Sequence, residues 1–187
     1  GYSFSRLLSM LRHHEKGHPS STGSRHYYFI DMFVLNQHAF VMDFTLKLEN
    51  QALLCRELER HIKATGKVLV CLSPWRSPMP LKRVWCLYEI FAAISTNCEV
   101  RMCFEPEEEQ EFYGALCTPQ FDVRGLIGSI DALSAGASLE SDKAMILEHI
   151  IQNTGMEAFN LQVRKFMETS LKSVAASFLL TKWGRNP

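Results

Sequence analysis

The stretch KVLVCLSPWRSPMPLKRVWCLYEIFAAI, residues 67–94, decides the fold. Its first part, Val68 to Leu72, is a continuous apolar run with β-branched residues. That pattern predicts a strand covered on both faces, as in a parallel sheet. Pro74, Pro78 and Pro80 forbid regular structure between positions 74 and 80, because each lacks an amide donor and fixes its own φ. Beyond them Val84, Leu87, Tyr88, Phe91 and Ile94 recur at steps of three and four, the period of an amphipathic helix. Glu89 lies inside that helix with Trp85 one turn before it. A carboxylate in so apolar a setting marks the first place to look for chemistry.

Working outward, SFSRLLSMLR (3–12) reads as a helix with Phe4, Leu7, Leu8 and Leu11 on one face and Ser3 as its N-cap. HHEKGHPSSTGSR (13–25) reads as a polar loop. HYYFIDMFVL (26–35) is aromatic and β-branched and predicts a buried strand. Its Asp31 interrupts the apolar run and needs a partner or a site at the strand end. Asn36-Gln37-His38 then form a polar tip, where ligands of open α/β sheets lie. A helix is expected from about Asn50 to Thr65, closed by Gly66.

After the central strand and helix, Cys98–Phe104 alternates as a shorter strand. Glu105-Pro106 opens a helix whose glutamates 107–109 sit beside its positive end. Residues 118–140 are ambiguous, with a short strand expected within FDVRGLIGSIDAL (121–133). Ser141 and Asp142 open a further helix closed by Gly155, and a long apolar stripe runs from about 156 to 181. The β, α, β, α, β, α order predicts a three-layer, flavodoxin-like parallel sheet with extra C-terminal helices. The expected division is an α/β core over 1–117 and a helical extension over 118–187 that packs on it.

Composition narrows the function classes. The chain has 187 residues, 47% of them hydrophobic and 21% charged, enough for a cored domain and not a disordered one. Twenty basic and twenty acidic residues cancel, so no global field favours nucleic acid or an anionic membrane. No apolar run approaches the ~20 residues that span a bilayer. Six cysteines lack a CxxC pair, which predicts reduced thiols in the cytoplasm. Cys98 and Cys103 have no second close ligand pair, so no metal is expected.

FID (29–31), ELERHI (57–62), VLVCLS (68–73) and WCLYEI (85–90), in this order, resemble the TIR domain. The match is closest to plant-type members. The chain is also similar to a divergent TIR-like group of algae and other microbial eukaryotes, through Asn36-Gln37 and Ser73-Pro74-Trp75. The resemblance covers roughly residues 1–105, and the family's first strand is absent or lies upstream of Gly1. The sequence departs from plant members at Arg83-Val84 and at Asn36-Gln37-His38.

The resemblance implies one of two functions. Some TIR domains are NAD+ glycohydrolases that release nicotinamide in stress and defence signalling; others are non-catalytic scaffolds that self-associate or dock other TIR-like domains. In the enzymes one glutamate on the helix after the third strand is essential, and Glu89 occupies that position. Asp31, Asn36, Ser73, Trp75 and Trp85 are the expected NAD+-binding residues. NAD+ would be a substrate and no cofactor is required. Residue by residue the plainer readings are a salt-bridged helix glutamate, packed tryptophans and a loop-bonding aspartate. Lys82 and Arg83 are the nearest bases for such a bridge.

Overall fold

The computed structural model describes residues 3–19, 27–30, 47–118 and 121–183. Lys67–Cys71 forms strand β1 and Glu99–Cys103 forms strand β2. They pair in parallel with Val68 opposite Val100 and Cys71 opposite Cys103. Parallel neighbours need a crossover. Here it is the proline-rich loop, a 3-10 turn over Met79–Lys82, and the helix Val84–Ser95.

Ahead of the sheet come helix α1, Phe4–Gly17, and helix α2, Lys47–Thr65. The crossover helix is α3. Helix α4 spans Pro106–Leu116, α5 Val123–Gly128, α6 Glu140–Asn153 and α7 Met156–Trp183. The chain is thus mixed α/β and mostly helical, with a two-stranded parallel sheet among the described residues. The strand expected over 26–35 is not formed at 27–30, and its other positions lie outside the described residues.

Local chemistry sets the element ends. The Ser3 hydroxyl accepts from the Arg6 amide at 3.3 Å, the expected N-cap. Gly66, at φ +70°, donates to the Ile62 carbonyl at 2.9 Å and closes α2. Asn97, at φ +54°, lets the Cys98 amide reach back to Ala93 at 2.9 Å and closes α3.

Two expectations need correction. The polar run His13–Gly17 is helical, not loop, because its polar side chains find tertiary partners. Arg6 and His13, two turns apart on one face, meet Glu105 (2.6 Å), Glu108 (3.0 Å) and Glu109 (2.6 Å) at the start of α4. The short strand expected in 121–133 is instead helix α5, capped by Asp122 through the Arg124 amide at 2.8 Å.

Helix α3 is the hub. Val84, Leu87, Tyr88, Ile90, Ala92 and Ala93 are all buried, so it is covered on nearly every side. It contacts α2, α6, α7 and both strands. Residues on both sides of position 117 build one core, which includes Ile146, Ile150, Phe159, Val163, Met167 and Leu171 from α6 and α7. Each such side chain contributes about 1.5–3 kcal/mol through area removed from water.

Candidate functional site

Glu89 sits mid-way along α3 and is half-buried, between the buried Tyr88 and Ile90. Trp85 lies one turn earlier, also half-buried, and packs against the core. The helical repeat places both on one face. The bases nearest in sequence are engaged elsewhere: Arg83 donates to the Ser138 hydroxyl at 3.2 Å, and Lys82 donates to Ser77. Asp31 and Asn36, the other two polar candidates, lie outside the described residues.

Ser73 and Trp75 come together at a different place, the start of α4. The Ser73–Pro74 peptide is cis, and Ser73 is fully buried with its hydroxyl accepting from the Glu105 amide at 3.4 Å. Trp75 is 7% exposed. Its ring packs edge-on against Phe112 at 5.6 Å and tilted against Phe121 at 6.2 Å, while its amide donates to Glu108. The Arg76 guanidinium covers the indole at 4.2 Å, a cation–π contact. Glu108 therefore joins three segments, since it also takes the Arg6 hydrogen bond. The indole Nε1 has no partner among the described residues. A cleft of about 530 Å³ runs beside it, bordered by Lys82, Phe121 and Asp122.

A third cluster escaped the sequence reading. The Tyr88 hydroxyl donates to the Glu59 carboxylate on α2. His149 of α6 stands 4.0 Å from that carboxylate and packs edge-on against the Tyr88 ring at 5.5 Å. Burial pushes the phenol's pKa well above its ordinary value, and the Glu59 hydrogen bond adds to it. Nearby, burial raises the Cys55 thiol to about 11, against a lowering hydrogen bond with Tyr88. A phenol held so high is no acid near neutrality. The arrangement ties α2, α3 and α6 together beside a cleft of about 460 Å³. The available signal was Tyr88 itself, a hydroxyl on an apolar stripe that must find an acceptor.

Among the described residues no three His, Cys, Asp or Glu side chains converge as metal ligands. No helix there is long and apolar enough to cross a membrane. Comparison with protein-family models, with curated proteins and with solved structures finds no match.

Proposed function

We propose that the chain is a TIR-like domain of the cytoplasm that cleaves NAD+ to release nicotinamide, with Glu89 as its catalytic carboxylate. In this reading β1 and β2 are neighbours in a three-layer, flavodoxin-like sheet. The observation that carries it is a half-buried glutamate, one turn after Trp85, on the helix that links two parallel strands.

The chemistry is coherent. Loss of cationic nicotinamide develops oxocarbenium character on the ribose, as in glycoside hydrolysis. A carboxylate near the anomeric carbon stabilises that charge, and partial burial strengthens the effect by limiting water. Trp85 supplies an aromatic face for a base, and Asp31 and Asn36 supply polar groups for the ribose. The burial of Ser73 and Trp75 favours a role in fixing the loop over direct ligand contact.

The test is nicotinamide release from NAD+ at high protein concentration, comparing the chain with Glu89→Ala. Turnover that falls at least roughly a hundredfold in the variant supports the reading. Equal turnover in both places the chemistry elsewhere. No turnover in either, beside an active TIR enzyme, rejects the hydrolase. The second reading, a self-associating module without catalysis, is favoured by exposed apolar side chains. Tyr27 (87%), Ile151 (58%), Leu161 (65%) and Leu180 (74%) all face solvent. Sedimentation over a concentration series separates it from a monomer.

A further inference from the structure

None of the six cysteines is in a disulfide, and two of them are register partners. Cys71 ends β1, Cys103 ends β2, and their Sγ atoms stand 3.2 Å apart. Parallel neighbours run ~4.8 Å apart, inside the ~4.4–6.8 Å Cα window that a disulfide requires. Each partner is already held in its strand, so no backbone rearrangement has to bring the thiols together. We propose that Cys71 and Cys103 form a reversible disulfide under peroxide, a covalent clasp between the ends of the two strands.

The two thiols are unlike, which sets the order of events. Cys71 is half-buried and Cys103 is 4% exposed. The hydrogen bond with Cys103 lowers the Cys71 pKa against the opposing effect of burial. The same hydrogen bond, then burial, then the charges of Cys71 and Glu109, drive the Cys103 pKa far upward. Cys71, the more exposed of the two, is therefore the thiol that meets oxidant first, and its thiolate form is the nucleophile. It attacks hydrogen peroxide, and the O–O bond breaks to give a Cys71 sulfenic acid and hydroxide, which takes up a proton as water. Cys103 Sγ then attacks the sulfenic sulfur, loses its proton, and a second water leaves as the S–S bond forms. Two thiols are oxidised by two electrons and one peroxide is reduced to two waters.

The clasp closes a loop holding the Ser73–Trp75 turn and all of α3. Oxidation thereby fixes the point where the Leu72 amide meets the Cys103 carbonyl at 2.8 Å and Ser73 meets Glu105. The remaining cysteines are placed differently. The Cys55 thiol contacts the Met145 sulfur at 3.7 Å, Cys86 is half-buried on α3, Cys98 contacts Thr96 at 3.2 Å, and Cys117 lies exposed at the end of α4.

The experiment treats the full chain with hydrogen peroxide, blocks remaining thiols by alkylation, and maps peptides after combined cleavage at Lys, Arg and Glu. Those cuts place each cysteine on its own fragment. The expected result is one cross-linked pair, VLVCLSPWR with MCFEPE, lighter by two hydrogens than the sum of its parts and dissolved by dithiothreitol. The Cys103→Ser variant is expected to accumulate a sulfenic acid at Cys71 that dimedone captures, whereas the parent chain does not. Alkylation of both Cys71 and Cys103 after peroxide overturns the proposal, as does a Cys71 sulfinic acid without cross-link. Should the serine variant fail to fold, the map of the parent chain decides alone.

Discussion

Tyr88 shows how one side chain can tie three helices together, its hydroxyl to α2 and its ring to α6. Its phenol is 1% exposed, while the Glu59 carboxylate that accepts from it is 41% exposed. The two partners therefore respond differently to removal. Tyr88→Phe leaves a carboxylate that water can reach, and the expected loss is about 1 kcal/mol. Glu59→Ala strands a buried donor, and the expected loss is larger, about 1–3 kcal/mol. Urea midpoints of the two variants check the order, and equal losses would show that water replaces Glu59. Glu89, the neighbouring residue, draws attention in the sequence as a carboxylate inside an apolar stripe. Glu59 and His149 were not, since nothing in a string of letters joins positions 59, 88 and 149.

Among the elements, α7 does more than bury a stripe. Asn160, 8% exposed, accepts from the Ala132 amide at 3.0 Å and donates to Asp131 at 2.9 Å. Arg164 adds a bond to the Ile130 carbonyl at 2.6 Å. These contacts hold the turn at 130–134 against the helix. Asn160→Ala removes the acceptor of a buried amide, and the expected loss is about 1–3 kcal/mol by chemical denaturation. Burial works to raise the Asp131 pKa, but hydrogen bonds from Ser134, Leu133 and Asn160 outweigh it and the net shift is downward. Its contribution is therefore present above the ordinary carboxylate pKa, about 4, and is lost as pH falls below it. Acid unfolding of Asn160→Ala is expected to be less steep there; an unchanged slope would remove Asp131 from the account.

Element boundaries were readable where the backbone itself is demanding, as at Gly66 and the Pro106 helix start. They were misread where partners lie far off: α1 runs on to Gly17 because Glu109 awaits His13. Helix α5, with glycines at 125 and 128, has poor intrinsic propensity and forms against α7.

At the scale of the whole molecule, the core does not respect the change of pattern near residue 117. Side chains of α6 and α7 pack against α3, and α6 also packs against α2. A fragment of residues 1–117 would lose the His149 ring against Tyr88 and the Phe159 ring against Phe91. The expected outcome is loss of a cooperative thermal transition and binding of a hydrophobic dye. A sharp transition in that fragment would show two independently folding units. The βαβ reading of 67–103 was available from periodicity; how the later helices close over it depends on tertiary fit, which periodicity does not encode.

The bridge between Arg83 and Gly136 carries a last consequence. The Gly136 carbonyl receives the Val84 amide at 3.0 Å, and the Gly136 amide returns to Lys82 at 2.8 Å. A Cβ at Gly136 would meet nothing closer than 3.8 Å, so alanine fits there. Both bonds belong to the main chain, and exchange of side chains leaves them intact. A mutational survey at Gly136 would thus record tolerance of small side chains, while proline, which alone deletes a donor, would stand out. The mooring of the Glu89 helix is written in a register that ordinary substitution, and natural sequence drift with it, leaves unmarked.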